Sequence, residues 1–498
     1  MTTEHLEVER KYDVDAEHAV PDLAGVVPGA VVGTPHEQSL VATYFDTEDL
    51  RLRAARITLR HRTGGSDAGW HLKLPARVGR REVHSTAKPP PAAVPAKLMQ
   101  LVRSVVRRAP LAPVADLRTT RTVYPLQDAS GRILLELVDD LVTGVSVQGE
   151  TVQWREWEAE LVAGDSWLLD AVEQRLLEAG AVPSTSSSKV GRVLSGRAPA
   201  TRPADVDKRS TAAEGVRAHL AEHVHELVSR DPDVRRDQPD AVHKMRVATR
   251  RLRSAFRTFR PLLDREVTDP LRDELRWLAG VLGEARDAEV LRERLLGLFD
   301  QEATELVLGP ARSRADDLLG DRYRRGLAAV HDELDGDRYL DLLDALDAVV
   351  DDPPWQPEAQ GRARDVLPPL VARADRTLRH AVRAAEADGA PDEALHEVRK
   401  LAKQLRYACE AVQPVLGRPA KRLARAATEL QEVLGDHQDS VVSREALREL
   451  GAASSRSGQN GFTFGRLHAM EEVRGEARRA AWRSAWRAAA KPSLRRWL

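Results

Sequence analysis

The chain opens on an alternation. In LEVERKYDVD (6–15), Leu6, Val8 and Tyr12 fall on one side of an extended backbone and Glu7, Glu9 and Lys11 on the other. The same period of two returns in short runs broken by Gly and Pro up to about residue 195: SLVATYFDT, ITLRHRT, WHLKLP, RILLELVDD and WREWEAEL. These runs predict strands, mostly antiparallel, with helices set between them. One helix stands out in DSWLLDAVEQRLLEAG, which starts at a capping Asp165 or Ser166 and stops at Gly180.

The grammar then changes. SGRAPATRPADVDKRS has no period and reads as a linker. From about Ala212 the chain is Ala, Leu, Arg and Glu at helical spacing, interrupted by PLLDREVTDP, DDPPWQPEAQG and EADGAPDEA. The expected architecture is α+β: an antiparallel β domain with flanking helices over 1–198, a linker over 199–211 and an all-α domain over 212–490. The helical part repeats itself. HKMRVATRRLR begins at His243 and HEVRKLAKQLR at His396; VLGEARD (281–287) is answered by VLGDHQD (433–439). Two matches at nearly the same separation predict two similar helical bundles.

Composition narrows the partners. Of 498 residues 31% are charged, yet 76 Lys and Arg against 77 Asp and Glu leave a formal net charge of −1. No global charge recruits a polyanion, so any such attraction is local. The single cysteine, Cys409, excludes an internal disulfide framework and a cysteine zinc site. The start lacks a secretory apolar stretch, and no apolar run approaches about 18 residues, which predicts a soluble, cytoplasmic protein without membrane insertion.

The period of two also sorts the charges. Arg60 and Arg62 share a strand face; Lys73 stands between Leu72 and Leu74. Glu136 and Asp140 share a face opposite Leu135 and Leu137, and Glu156, Glu158 and Glu160 share one opposite Trp157 and Ala159. A solvated sheet usually intersperses both signs along each strand. Like charges two apart, such as Glu7 with Glu9 or Glu158 with Glu160, are costly unless a cation lies between them. Arg60 with Arg62 asks for an anion. A closed sheet with these faces inward, covered outside by helices such as 166–179, would gather both sets around a metal polyphosphate.

Here the sequence resembles a known family. EVERK (7–11) matches the ExExK signature of the CYTH superfamily, the triphosphate tunnel metalloenzymes. YFDT (44–47), LRHR (59–62), HLKL (71–74) and EWEAE (156–160) follow in that family's order, over roughly residues 4–195. The resemblance implies an eight-stranded tunnel that binds triphosphate with Mg²⁺ or Mn²⁺. It makes Glu7, Glu9, Asp140, Glu158 and Glu160 the metal-side carboxylates. Lys11, Arg60, Arg62, Lys73, Arg121 and Lys189 become phosphate contacts, and Glu7, Glu9, Lys11 and Lys73 the catalytic set. Two choices stay open. Asp139 and Asp140 are adjacent, and parity with Glu136 favours Asp140; Arg118 and Arg121 lie on opposite faces, and Arg121 is preferred. Tyr44 and Asp46 belong to the motif with either a ligand or a structural role.

The helical repeat carries its own chemistry. Offsets 0, +3, +7 and +10 fall within an arc of about 80° on a helix. His243, Arg246, Arg250 and Arg253 form one stripe, extended by Arg257, and His396, Arg399, Lys403 and Arg406 form a second. HKMRVATRRLR contains no acid, and each His follows a helix start, where the dipole favours an anion. Residues 212–490 resemble the CHAD domain, often fused to CYTH. That resemblance implies two four-helix bundles related by pseudo-twofold symmetry, with a basic groove for inorganic polyphosphate. Asp287 and Asp439 are expected to orient basic side chains. Nucleic acid is not expected: aromatics are 4% of the chain and none interleaves the first stripe, so stacking platforms are scarce. Trp482 and Trp486, one turn apart, predict a packed terminal helix.

The combined expectation is metal-dependent hydrolysis of inorganic tripolyphosphate or short polyphosphate, with polyphosphate bound by the second domain. A class IV type adenylyl cyclase and a thiamine triphosphatase are the enzymic rivals. A polyphosphate-binding protein with an inactive tunnel is the other.

Overall fold

Eleven strand segments carry out the alternation of the first part: β1 (Thr2–Glu7), β2 (Glu9–Val14), β3 (Val31–Val32), β4 (His36–Asp46), β5 (Thr58–Thr63), β6 (Gly69–Pro75), β7 (Arg80–Ser85), β8 (Ala112–Gln127), β9 (Ile133–Ser146), β10 (Thr151–Leu161) and β11 (Val182–Pro183). This computed structural model describes residues 2–88, 93–195, 206–387 and 391–498. It divides into two units, Met1–Arg202 and Pro203–Leu498. The linker expected over 199–211 lies outside the described residues up to 205. Beyond it Val206 packs on the helical core and Thr211 caps the first helix, so the end of that stretch belongs to the second unit. Residues 388–390 of the EADGAPDEA break also lie outside the described residues.

The strands neighbour one another in the order β1-β7-β6-β5-β4-β8-β9-β10-β2-β11. β1 and β2 are halves of one stretch broken at Val8; β1 pairs with β7 and β2 with β10. Residues 2–14 therefore join the two ends of the path, and the sheet curls into a ring. Counted with that stretch as one strand, and without the two-residue β3 and β11, the ring has the eight strands expected.

Register decides what faces inward. Glu156, Glu158 and Glu160 of β10 lie opposite Asp140, Val138 and Glu136 of β9, and opposite Asp13, Lys11 and Glu9 of β2. The alternate positions, Tyr12, Leu135, Leu137, Trp157 and Ala159, point outward to a hydrophobic core. Among the described residues four helices serve this unit: α1 (Arg51–Ala54), α2 (Ala96–Val106), α3 (Trp167–Glu178) and α4 (Lys189–Val193). α3 covers that outer core with Leu168, Leu169, Val172 and Leu176. α2 covers Leu59, Trp70, Leu72, Leu74 and Val83 with Leu98, Leu101 and Val102. The unit is inverted, with its apolar core outside the ring and its charges inside. Leu6 keeps the outward parity yet is 44% exposed.

One mouth of the ring is filled. Val190 and Val193 of α4 pack among Ala42, Leu117 and Val142, the inward residues at that end. Gly144 on β9 makes the approach fit: a Cβ there would sit 2.3 Å from Val193 Cγ2. Ser188 starts α4 by accepting the Gly191 N–H, which fixes Lys189 at the head of the plug.

Among the described residues the second unit is built of helices: α5 (Ala212–Arg235), α6 (Ala241–Thr258), α7 (Arg265–Gln301), α8 (Ala311–Asp335), α9 (Asp337–Asp351), α10 (Ala363–Ala385), α11 (Asp392–Leu416), α12 (Arg418–Arg456) and α13 (Phe462–Ala489). α5 to α8 correspond in order to α10 to α13: a basic helix second and a long one third, with α9 intervening. A capping box of Thr211 and Glu214 starts α5. The copies share one hydrophobic core, to which all nine helices contribute, rather than holding one each. Trp482 and Trp486 are buried in it, as expected of a packed terminal helix. A smaller cluster, including Leu295, Phe299, Leu447 and Phe464, ties together α7, α8, α12 and α13.

Asp46 is structural. Its buried carboxylate accepts the N–H groups of Thr47 at 2.7 Å, Leu52 at 2.9 Å and Arg53 at 3.0 Å, tying β4 to α1. Asp46→Ala strands three donors and should cost about 2 kcal/mol or more of stability. Urea denaturation of the full chain checks this; an unchanged midpoint would contradict it.

Candidate functional site

Inside the ring, Glu158 is the most heavily paired acid. It accepts from Lys11, from Lys189 Nζ at 2.6 Å and from Arg121 Nη2 at 2.9 Å. Arg121 also holds Asp140 in a fork, Nε at 2.8 Å and Nη2 at 2.6 Å. Lys189 Nζ lies 2.9 Å from Asp140 and 2.6 Å from Glu156 Oε1, the latter an ion pair without hydrogen-bond alignment. Asp140 is fully buried. Its neighbour Asp139 points away and takes a fork from Arg155, both contacts 2.9 Å, while Arg118 is exposed outside the ring. The period of two thus orients Asp140 and Arg121 inward and Asp139 and Arg118 outward.

A second group lies farther along. Lys73 pairs with Glu7 and stands 3.6 Å from Glu82; Lys11 is 3.0 Å from Glu9. Glu82 also contacts His71, whose other nitrogen lies 2.8 Å from the Asp67 carbonyl. Arg60 donates to the Tyr44 hydroxyl at 3.2 Å and lies 4.0 Å from Glu82, and Arg62 pairs with half-exposed Asp67. Glu82 and His71 belong to this interior and were not singled out from sequence, and Glu156 was placed on the face of Glu158 and Glu160 without a role of its own. Glu156 and His71 have the inward parity of Glu158 and Lys73, which is the signal for them. Glu82 is announced only by the β6–β7 register that sets it opposite Lys73.

Electrostatics separates the satisfied groups from the needy ones. Burial would raise Glu158, but Lys11, Lys189 and Arg121 outweigh it and hold its carboxyl well below the usual range. Glu82 is likewise depressed, Lys73, His71 and Arg60 overcoming burial. Glu9 is lowered by Lys11 against burial. Glu160 goes the other way: burial, then Glu7, with Glu9 and Glu158, pushes it up to about 7 against Lys73. Arg62 is pushed down to about 9 by burial, Arg60 and Arg121. Among the described residues Glu160 has no paired cation, and the one ion pair of Arg62 is to half-exposed Asp67.

The acids fit a hard divalent cation. Carboxylate oxygens of Asp140, Glu156 and Glu158 lie within 4.8 Å of one another, and the buried Oε2 of Glu7 has no hydrogen-bond partner. All donors are oxygens, as Mg²⁺ or Mn²⁺ requires. The five acids named from sequence fall in two groups that Lys11 links, standing 3.0 Å from Glu9 and pairing with Glu158. Asp140 and Glu158 sit around Lys189 with Glu156, whereas Glu7 and Glu9 are held by Lys73 and Lys11, and the charge of Glu160 is felt beside them.

In the helical unit the two basic stripes converge, because α6 packs on α11. Arg251 of α6 reaches Glu410 of α11 at 3.0 Å. Lys403 is pushed down to about 7 by burial and by Arg250, Arg399, Arg406 and Arg246, members of both stripes. Arg250 is lowered by burial, against Tyr407, with Arg246, Arg406 and Arg399 contributing. Arg246 is steadied by Asp287 at 2.9 Å, and Arg399 lies 3.9 Å from Asp439. The repeated glycines leave room for these arginines: a Cβ on Gly283 would be 3.3 Å from Arg246 Nη2, and one on Gly435 3.5 Å from Arg399 Nε.

The helices' neighbours enlarge the patch. Arg253 is lowered by burial and by Arg276 and Arg272 of α7, two cations not singled out from sequence because α7 mixes them with acids. His243 is lowered by burial, Arg286 and Arg250. In the other copy His396 meets Gln438 at 2.9 Å, the position that Arg286 holds in the first. Arg257 is exposed at the end of its stripe.

Known proteins share both halves. Residues 5–190 match the model of the CYTH domain, and residues 218–448 that of the CHAD domain. Two proteins of Mycobacterium tuberculosis, from strains CDC 1551 / Oshkosh and H37Rv, both called uncharacterized, are 40% identical over 489 residues, spanning 94% of this chain and 93% of the relative. Among solved structures, PptA from Streptomyces chartreusis aligns with a TM-score of 0.48 and 23% identity, over 56% of this chain and 100% of that one. The CHAD domain from the plant Ricinus communis aligns with a TM-score of 0.46 and 23% identity, over 59% and 97%. No helix among the described residues is long and apolar enough to cross a membrane. The chain belongs to the family in which a CYTH domain, the triphosphate tunnel domain, is followed by a CHAD domain.

Proposed function

We propose that the tunnel hydrolyses inorganic tripolyphosphate or short polyphosphate with Mg²⁺ or Mn²⁺, and that the helical unit binds polyphosphate. The observation that carries this reading is the polarity of the ring interior: Glu160, raised among other acids, calls for a cation, and Arg62, crowded by Arg60 and Arg121 and ion-paired only with half-exposed Asp67, has room for a further anion. A metal triphosphate supplies both at once. Arg60, Arg62 and Arg121 would grip phosphate oxygens with their forks, and Lys11, Lys73 and Lys189 as point charges. Glu7, Glu9, Asp140, Glu158 and Glu160 would hold the metal, which when bound neutralises phosphate charge during attack by water. The closed mouth and the ring wall limit bulk water, so these fixed charges act at full strength on the developing transition state.

The deciding assay gives the purified protein tripolyphosphate, ATP, thiamine triphosphate and long polyphosphate, each with Mg²⁺ or Mn²⁺, and identifies the products. Pyrophosphate and orthophosphate from tripolyphosphate are expected. Cyclic AMP from ATP would make the tunnel a cyclase, and tight triphosphate binding without turnover would make it a binding module.

Glu9→Gln should remove most metal-dependent phosphate release, on the order of a hundredfold or more. The fold should hold, since the amide keeps the shape of the carboxylate and Lys11 retains Glu158 as its partner. Full turnover in a folded variant would refute the assignment.

Gly283→Ala is a finer probe of the basic face. An alanine favours the helix by roughly 0.5–1 kcal/mol, but its methyl group displaces the Arg246 guanidinium. Weaker polyphosphate binding by a more stable protein is expected; Gly435→Ala, with more room, should disturb binding less. Equal or stronger binding by Gly283→Ala would contradict the role given to Arg246.

Polyphosphate binding should also depend on pH through Lys403. Its pKa near 7 in the free protein must rise when a phosphate chain binds, so binding takes up a proton. Affinity is greatest below that pKa and declines as pH climbs above it, until the pKa of the bound state is passed. Titration calorimetry in buffers of different ionisation heat should detect the uptake, and Lys403→Arg should remove it. An uptake identical in both proteins would assign the proton elsewhere.

A further inference from the structure

A cluster on α5 lies outside both sites. HLAEH (219–223) sets His219, Glu222 and His223 at positions i, i+3 and i+4, so all three share one face across a single helical turn. His219 and His223 are both buried, their rings 4.4 Å apart and at 88° to each other. Ligand atoms of the three residues all lie within 4.8 Å of one another. Among the described residues neither imidazole makes a hydrogen bond, and Glu222, which is exposed, has no ion pair.

Buried histidines normally find a hydrogen-bond partner. Two of them on one turn, both unpartnered and next to a free carboxylate, is an arrangement that a cation completes. We propose that His219, Glu222 and His223 form a site for a late first-row divalent cation such as Zn²⁺. Imidazole and carboxylate donors suit this class, whereas Mg²⁺ prefers oxygen donors alone. Metal–ligand bonds of about 2.0–2.2 Å draw the donors closer than they now stand. Rotation of the exposed Glu222 side chain supplies that movement.

The surroundings are compatible with it. Burial, then Arg251, pushes His223 down to about 4 against Glu226, and His219 is lowered by burial, His223 and Arg251. The neutral ring is the form that binds a metal. Arg251 itself is paired with Glu410 at 3.0 Å, and Glu226 with Arg230 at 3.0 Å. Three protein ligands leave an open coordination position, which water or a phosphate oxygen can take.

The test uses the full chain, stripped with chelator and dialysed against Zn²⁺ in excess Mg²⁺, which competes for the oxygen-only tunnel acids. Metal analysis should find about one retained zinc per chain, and Co²⁺ in its place should give the visible absorption of a low-coordinate site. Glu222→Gln changes only an exposed side chain, so it should keep the thermal melt of the metal-free protein. It should lose affinity on the order of tenfold or more, and His223→Gln should lose at least as much. No retained zinc, or retention unchanged in Glu222→Gln and His223→Gln, would overturn the site.

Discussion

A charge taken from water must be paired, and the first unit is organised around that constraint. Its ring encloses Lys, Arg, Glu and Asp at positions where most barrels hold aliphatic side chains. Buried ions cost several kcal/mol each unless they are matched. Glu158 meets Lys11, Lys189 and Arg121, and Glu82 meets Lys73, His71 and Arg60, so most of the interior compensates itself. With the polar face turned inward, the apolar face must be buried outside. That is why α2 and α3 lie against the ring, and why Trp70 and Trp157 are core residues on its outer side. The plug follows from the same need, since α4 brings an ammonium to Asp140, Glu156 and Glu158 on an apolar stopper.

The helical unit handles charge differently. Its aliphatic core is ordinary, and its cations sit on two helices pressed together by that core. Arg246, Arg250, Arg399, Lys403 and Arg406 crowd one another, and the depression of Lys403 records their repulsion. Glu410 and Asp287 offset part of it. A surface left so under-compensated trades stability for attraction to a polyanion. Asp287 and Gly283 show how the geometry is kept, one drawing Arg246 to α7 and the other clearing space for it.

Much of this was legible because strands and helices have simple periods. Parity with Glu136 favoured Asp140 over Asp139 and set Arg118 and Arg121 on opposite faces, and the repeat of His243 and His396 marked the two matched helices. What stayed hidden depends on register and packing. Glu82 meets Lys73 only because β7 pairs with β6, and no local pattern in RREVHS says so. The break at Val8, which lets one stretch serve both ends of the sheet, has no Gly or Pro to announce it. Leu6 obeys the alternation yet is exposed. The acids of ExExK and EWEAE look like one ligand set in sequence. In three dimensions cations stand among them, and Lys11 bridges Glu9 and Glu158. Arg272 and Arg276 join the basic face through the packing of α7 on α6, beyond the reach of the α6 stripe itself.

On the proposed function, two chemically distinct binding surfaces occupy separate units, one for a metal triphosphate and one for a long phosphate chain. Hydrogen exchange read by mass spectrometry tests it directly, with a non-hydrolysable imidotriphosphate plus Mg²⁺ as one ligand and long polyphosphate as the other. The account predicts that imidotriphosphate slows exchange in strands β2, β5, β6 and β10 and in α4. Long polyphosphate should slow it in α6 and α11. Imidotriphosphate protection confined to the helices, or absent from the ring, would contradict it.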